Sequence, residues 1–298
     1  MLEDTAWPNF YVVGAQKCGT TSVYYHLRRH PQVFLPEEKE PAFFANFPTA
    51  REKMIFPASR TTIDEYRRFY QGARGFGAIG DASPHYLRDE ESPRRIHEVS
   101  PQAKIIIMLR DPVVRAHSAY LMNLARHFDF SPSFCEALAR DEPRPKADWF
   151  TAHHYVGAGL YYEQVHRYLN IFGREQVQVL LFEDLAAKPR QLLTSIAGHI
   201  GIDPAPFAAM DLSQPYNAYQ VPRFRTVYRF ASALGQRTKL LPPSVRAWLK
   251  ETPLLHDRTK PPLDIESRRH LQSIFDPDIT RLEELLGRKL PELRKSWV

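Results

Sequence analysis

The chain has 298 residues, of which 43% are hydrophobic, and its 40 basic and 34 acidic residues leave a modest formal charge of +6. This size suits one globular domain, and the absence of a dense Lys/Arg block interleaved with aromatic residues argues against a nucleic-acid partner. Two cysteines, no stretch of about 18–20 apolar residues and an N-terminus (MLEDTAWPNF) unlike a signal peptide argue against secretion and membrane insertion, so we expect a cytoplasmic protein without a membrane partner.

Short apolar runs alternate with helical patterns along the chain. The runs predict strands at residues 10–13, 78–79, 104–109 and 177–182. The helical patterns, with their proline and glycine boundaries, predict helices at residues 20–30, after Asp111, at 161–173, at 189–201 and near the end up to 287. Strands that alternate with helices are typical of an α/β fold. We therefore expect one P-loop-like three-layer domain over residues 1–298, with a central, mostly parallel sheet flanked by helices.

The stretch GAQKCGTTS, at residues 14–22, joins the first predicted strand to the first predicted helix. A loop in this position directs backbone N–H groups and the positive end of the helix dipole at a bound anion. Gly14 and Gly19 permit a tight path. In an ATP-binding P-loop a lysine directly follows the second glycine, but here Thr20 does, and Lys17 precedes Gly19 by two residues. We therefore predict an anion site with a differently placed lysine; the alternative is a plain glycine turn.

A second polar segment follows the predicted strand at 104–109, in the sequence KIIIMLRDPVVRAHSAYL. Asp111 can cap the next helix, and Pro112 suits its first position. Arg110 offers a fork of N–H donors suited to a phosphate, and Ser118 lies two helical turns further on with a hydroxyl. In the alternative interpretation, Arg110 forms a salt bridge with a nearby carboxylate such as Asp111, and Ser118 is an ordinary helix residue.

Together these segments resemble the nucleotide-binding motifs of the sulfotransferases that use 3′-phosphoadenosine-5′-phosphosulfate (PAPS). Residues 14–22 resemble the 5′-phosphosulfate loop of that family, and the Arg-Asp-Pro segment resembles its 3′-phosphate site, with a serine eight residues after the arginine. The resemblance implies sulfuryl transfer to a hydroxyl or amine, with release of 3′-phosphoadenosine-5′-phosphate (PAP). It implies cofactor contacts from Gly14, Lys17, Cys18, Gly19, Thr20, Thr21, Ser22, Arg110 and Ser118.

Weaker matches place the chain nearest the heparan-sulfate-type sulfotransferases and their bacterial relatives. The segments that resemble this branch are KEPAFF (39–44), GDASPHYL (80–87), YN (216–217) and DRTKPPLD (257–264). Within the last of them, Arg258 resembles the arginine that closes over the cofactor. Ala82 and Ala42 stand where members of the branch have a lysine and, in some cases, a histidine. The resemblance therefore carries the chemistry and leaves the acceptor open.

The resemblance also suggests which residues carry out the reaction. Sulfuryl transfer is an in-line displacement like phosphoryl transfer, so positioning and electrostatic stabilisation supply most of the catalysis. Lys17 is the candidate for stabilising the leaving oxygen. Glu40, which matches an acidic residue of the branch, is the leading candidate for the base, and it needs a partly desolvated cleft to raise its pKa toward neutrality. His85 is the second candidate, because an imidazole titrates near neutrality; the alternatives are a solvated glutamate and a structural histidine.

The sequence thus predicts a PAPS-dependent sulfotransferase that acts, without a metal ion, on a carbohydrate or a secondary-metabolite acceptor. No DxD or other metal-binding cluster accompanies the loop in the sequence. One rival is a P-loop kinase or NTPase, against which the displaced Lys17 and the position of Arg110 ahead of Asp111 argue. The other rival is a non-catalytic protein that binds nucleotides or sulfated glycans.

Overall fold

The computed structural model describes residues 6–47, 62–126, 128–141, 154–212, 221–222, 256–257 and 262–297. One sheet is formed by β1 (Phe10–Gly14), β2 (Val33–Phe34), β3 (Ala78–Asp81), β4 (Lys104–Leu109) and β5 (Val177–Leu181). The strand order is β2-β3-β1-β4-β5, and every neighbouring pair is parallel. A short antiparallel pair is formed by β6 (Val221–Pro222) and β7 (His256–Asp257). The predicted mostly parallel central sheet is confirmed.

The helices follow the strands much as the sequence predicts. Within the described ranges they are α1 (Thr20–Arg28), α2 (Ile63–Arg68), α3 (Ser92–Val99), α4 (Pro112–Ala125), α5 (Phe134–Asp141), α6 (Tyr161–Phe172), α7 (Phe182–Ala187), α8 (Pro189–Ile200), α9 (Pro206–Ala209) and α10 (Ile265–Leu286), with 3₁₀ segments at Gly157–Gly159 and Pro291–Trp297. Gly201 and Gly287 end α8 and α10 with φ of 73° and 66°, as expected for a glycine after a helix. Among the described helices, none is long and apolar enough to cross a membrane.

The centre of the sheet is apolar on both faces, as expected for parallel strands covered by helices. Residues 10–13 of β1 and 105–109 of β4 are fully buried. In β3, Gly80 pairs with Phe10, and a Cβ at Gly80 would lie 2.2 Å from the Phe10 ring. The packing of an aromatic ring against a glycine therefore helps to fix the register between β1 and β3.

The carboxyl ends of β1, β3, β4 and β5 meet at one edge of the sheet. In open parallel sheets, ligands bind at this edge, in the crevice formed by the loops that leave the strands. Here the loop after β1 leads into α1, the segment after β3 carries residues 82–87, and Arg110 follows β4. The segments at 14–22, 80–87 and 110–118, which sequence analysis singled out, thus leave the sheet on the same side.

Candidate active site

Gly14 and Gly19 bound the loop between β1 and α1, and neighbouring side chains leave no room for a Cβ at either position. A Cβ at Gly14 would lie 2.5 Å from Cβ of Leu87, and one at Gly19 would lie 2.8 Å from Cδ2 of Phe182. Gly19 also has φ of 85°, in the left-handed region that favours glycine. Both glycines are therefore required by close packing as well as by the path of the turn.

Helix α1 begins directly after this loop and presents its N-terminus to the crevice. Its N-cap is Gly19, which has no side chain with which to cap the helix, and its first turn contains no acidic residue. Thr20 is buried, whereas Thr21 and Ser22 are half-buried. Because the first N–H groups of a helix need partners from outside it, this end of α1 can hold an anion with backbone and hydroxyl donors.

Lys17 lies in the middle of the loop, half-buried, with φ of 71°. Its Nζ is 3.6 Å from Sδ of Met122. Burial lowers the pKa of its ammonium to about 8, and the positive charges of Arg126 and Arg110 act in the same direction. A bound anion would stabilise the charged form, so the surroundings of this lysine favour an anionic ligand.

Arg110 extends from the end of β4 toward the same loop. Its Nη1 donates to the carbonyl oxygen of Lys17 at 3.4 Å, and its Cζ lies 4.3 Å from the centroid of the Phe182 ring. The hydroxyl of Tyr161 donates to the carbonyl oxygen of Arg110 at 2.9 Å. Ser118 lies on α4, half-buried. The structure therefore brings Lys17 and Arg110, from two separate motifs, to one place.

Asp111 does not serve as the ionic partner of Arg110 that the alternative interpretation supposed. Its Oδ1 accepts from the amides of Val113 and Val114 at 3.0 and 3.3 Å, which confirms the predicted helix cap. Its Oδ2 accepts from the amide of Ser296 at 2.9 Å. Both carboxylate oxygens of Asp111 therefore accept from backbone N–H groups rather than from the Arg110 guanidinium.

Cys18 differs from the other loop residues because it turns inward. Its side chain is fully buried, and Sγ lies 3.7 Å from the hydroxyl of Tyr161. Burial raises the pKa of the thiol to about 11, and the Cys18 amide donates to the carbonyl oxygen of Ala15. The thiol thus supports the loop from beneath, and contact of Cys18 with the cofactor stays a prediction.

Glu40 stands at the crevice, but its pKa is not raised as the sequence analysis required. The carboxylate forms an ion pair with Lys39 and lies 3.8 Å from Nε2 of His85, with 28% of its side chain exposed. Burial acts to raise the pKa of Glu40, but Lys39, His85 and Arg126 together outweigh burial and lower it. The expected shift toward neutrality is therefore wrong in direction, because Lys39, adjacent in sequence, pairs with the carboxylate.

His85 is also altered by its surroundings. Only 4% of its side chain is exposed, and its ring lies 5.6 Å from the ring of Phe47. Burial lowers the pKa of His85 to about 4, so the expectation that it titrates near neutrality is wrong. At neutral pH the pair therefore consists of an ionised Glu40 and an uncharged His85.

Two residues that the sequence analysis did not single out contribute to this site. Phe182, the first residue of α7, contacts both Gly19 and Arg110, and no local pattern could have identified it because its role depends on tertiary packing. Asp81, at the end of β3, is fully buried and accepts hydrogen bonds from three hydroxyl groups. Its only sequence signal was its place in the segment GDASPHYL.

The structure does not describe every residue that the sequence analysis assigned to the cofactor site. Arg258, together with Tyr216 and Asn217, lies outside the described residues. In the part of the chain that the structure describes, no group of three or more His, Cys, Asp or Glu side chains is arranged to hold a metal ion.

Comparison with known proteins gives the site a family context. The model of the sulfotransferase family matches residues 8–206 of this chain. The bifunctional heparan sulfate N-deacetylase/N-sulfotransferase 4 of Mus musculus is 27% identical over 305 residues, which cover 98% of this chain and 31% of that protein. This chain therefore spans about a third of the length of that relative.

Solved structures agree with this match. A sulfotransferase from Alicyclobacillus acidocaldarius superimposes with a TM-score of 0.74 and 33% sequence identity, covering 97% of this chain and 99% of the other. The mouse sulfotransferase SULT7A1, complexed with PAP, gives a TM-score of 0.50 and 14% identity, covering 93% of this chain and 87% of the other. At that identity the second likeness concerns the fold alone. The α/β, P-loop-like fold predicted from the sequence is confirmed.

Proposed function

Because this chain belongs to the sulfotransferase family, we propose that it transfers the sulfuryl group of PAPS to a hydroxyl, or an amine, of an acceptor and releases PAP. The convergence of Lys17 and Arg110 beside the N-terminus of α1 supports this proposal most directly. A carbohydrate acceptor is favoured over a secondary metabolite, since the similar mouse enzyme is named for heparan sulfate.

The residues at the crevice fit the two anionic ends of this nucleotide. The loop of Gly14 and Gly19, with Thr20, Thr21 and Ser22 at the start of α1, would hold the 5′-phosphosulfate through N–H and hydroxyl donors. Lys17 would stabilise charge on the leaving oxygen as the bond to sulfur breaks. Arg110 and Ser118 would hold the 3′-phosphate, for which a planar guanidinium fork is well suited. Arg258 would complete the cofactor site.

Glu40 would act as the base toward the acceptor. An acceptor that displaces the Lys39 ammonium removes the cation that does most to lower the pKa of Glu40. Burial, which acts to raise that pKa, is then less opposed, and the carboxylate becomes a better proton acceptor. His85, 3.8 Å away and uncharged at neutral pH, is the alternative base.

The arrangement favours a sulfotransferase over a kinase. A kinase-type P-loop enzyme holds Mg²⁺ with a carboxylate that ends the strand beside the loop. Here the aspartate nearest that position, Asp111, uses both oxygens to accept from backbone amides. The positive charge near the leaving group would come from Lys17 and Arg110, so we propose a reaction without a metal ion. We also propose a cytoplasmic location, because Cys18 and Cys135 are both free thiols.

Calorimetric titration with PAP, and separately with ATP and Mg²⁺, tests the proposed cofactor. We expect PAP to bind without metal and Arg110→Ala to weaken this binding by at least tenfold, since charge-assisted hydrogen bonds to phosphate are lost. Arg167→Ala is the matched control, because Arg167 is also half-buried and donates to a carbonyl oxygen, that of Arg88. Preference for ATP with Mg²⁺ would contradict the proposal.

Transfer itself is tested with ³⁵S-labelled PAPS and desulfated heparan sulfate, which presents both hydroxyls and free amines. Label in the polysaccharide supports the carbohydrate acceptor. The Glu40→Gln variant tests the base. If this variant binds PAP tightly, is as stable as the wild type and transfers the label at the wild-type rate, Glu40 is not the base.

A further inference from the structure

The carboxylate of Asp81 is fully enclosed at the end of β3. Its Oδ2 accepts from the hydroxyls of Tyr66 and Tyr86, each at 2.8 Å, and its Oδ1 accepts from Oγ of Ser83 at 2.6 Å. Removing a carboxylate from water is costly unless such bonds satisfy it. Burial raises the pKa of Asp81 to about 6 even with these three donors, so the ionised carboxylate is the main form at neutral pH.

Two of these hydroxyls also hold the backbone that follows Glu40. Oγ of Ser83 accepts from the amide of Ala42 at 2.9 Å, and the hydroxyl of Tyr86 receives a longer bond, 3.5 Å, from the amide of Phe44. Each hydroxyl donates to Asp81 and accepts from the segment at 40–44. The carboxylate therefore sets the direction of both hydroxyls, because an ionised acid can only accept hydrogen bonds.

The segment at 40–44 requires such support because its backbone is strained. Glu40 and Ala42 have φ of 64° and 52°, in the left-handed region that residues with a Cβ rarely adopt because Cβ crowds the carbonyl oxygen. Stacking of Phe43 on Tyr66, with ring centroids 4.5 Å apart, adds a second contact to the same anchor. The conformation of Glu40 is thus held by neighbours rather than by its own preference.

We propose that Asp81 is the positioning residue for Glu40, holding the amide of Ala42 through the hydroxyl of Ser83 and thereby fixing the backbone that directs the Glu40 carboxylate into the crevice. This inference rests on the proposed role of Glu40 as the base. Asp81 acts only through Ser83 and Tyr86.

A double-mutant cycle on kcat separates positioning from general stability. Ser83→Ala lowers kcat for transfer to desulfated heparan sulfate by at least tenfold and leaves the Kd for PAP within twofold. In a Glu40→Gln background the same change has less than a twofold effect, because there is no longer a base to position. An equal effect of Ser83→Ala in both backgrounds would overturn the proposal.

The chain offers a matched control for this substitution. Ser131 is also buried, its Oγ donates to Oδ1 of Asp129 two residues earlier at 2.6 Å, and it accepts from Arg140 at 3.2 Å. Ser131→Ala should lower the stability about as much as Ser83→Ala and leave kcat unchanged. Asp81→Asn, which retains an acceptor oxygen for Ser83, should keep more activity than Asp81→Ala. A loss of kcat in Ser131→Ala equal to that in Ser83→Ala overturns the proposal.

Hydrogen exchange gives a readout that needs no acceptor. The amide of Ala42 should lose protection in Ser83→Ala and keep it in Ser131→Ala, and unchanged protection in both would overturn the inference. PAP calorimetry on the same samples distinguishes the two levels of the proposal. Failure of the wild-type protein to bind PAP would disprove the proposed function, whereas PAP binding with an additive cycle disproves only the role of Asp81.

Discussion

The guanidinium of Arg110 lies over the ring of Phe182, with 4.3 Å between Cζ and the ring centroid. The same ring occupies the space beside Gly19, where a Cβ would lie 2.8 Å from Cδ2 of Phe182. One aromatic side chain at the start of α7 therefore supports both the loop and the cation of the proposed cofactor site. A side chain added at Gly19 should displace this ring and thereby shift the Arg110 guanidinium.

Gly19→Ala should weaken PAP binding by about tenfold or more and lower the melting temperature, because the added methyl displaces the Phe182 ring. Gly72→Ala is the control, since Gly72 has φ of 86°, almost the same as 85° at Gly19, with nothing within 4 Å of its added Cβ. Gly72→Ala reports only the backbone strain. Calorimetry with PAP and thermal unfolding measure both effects, and equal losses in the two variants would contradict the role given to Phe182.

Lys17→Ala should lower kcat by about 10²–10³, the typical effect of removing one donor that stabilises a developing oxyanion. PAP affinity should fall less, because the loop amides and Arg110 remain. Lys188→Ala, at an exposed lysine, serves as the control. Steady-state kinetics with labelled PAPS measures the change, and an unaltered kcat would remove Lys17 from the mechanism.

Lys17→Met should raise the stability of the unliganded protein at pH 7. The folded protein lowers the pKa of Lys17 from 10.5 to about 8, so the unfolded chain holds this proton more tightly. The wild-type stability therefore rises with pH between about 8 and 10.5 as the unfavourable charge is lost, and Lys17→Met removes that dependence. Thermal unfolding at several pH values tests this, and a lower melting temperature at pH 7 would show that Lys17 is stabilising.

Lys39→Ala should move the acidic limb of the kcat/KM profile to higher pH. Lys39 is the strongest of the groups that lower the pKa of Glu40, and without it burial raises that pKa, so the base becomes protonated sooner as the pH falls. Lys188→Ala again provides the control. An acidic limb at the same pH in both variants would indicate that Glu40 does not limit kcat/KM.

The parts of the site that could be predicted were local in sequence. The run before Gly14, the cap at Asp111 and the glycines after α8 and α10 act on their immediate neighbours, so pattern alone located them. The contact of Phe182 could not be predicted, because it joins the start of α7 to a loop far away in the chain.

The wrong predictions for the pKa values of Glu40 and His85 also arise because tertiary packing could not be read from the sequence. Lys39 adjoins Glu40 in the sequence, but the direction of the pKa shift depends on the competition between burial and the charges packed around the carboxylate. The burial of His85 likewise could not be predicted from the segment SPHY. The sequence indicated which residue types form the site, but their protonation states could be inferred only from how these residues pack in the fold.

The central position of β1 has a consequence for synthesis. Phe10 pairs with Gly80 on one side and with Lys104 on the other. During synthesis β1 therefore has no pairing partner until β3 and β4, which lie much later in the sequence, have been made. Such distant pairings form slowly, because a long stretch of chain must be ordered first. Lys17 follows β1 and Arg110 follows β4, so on the ribosome the anion site cannot assemble until β4 has emerged. Until then β1 is an unpaired apolar strand, and exposed segments of this kind are prone to aggregate.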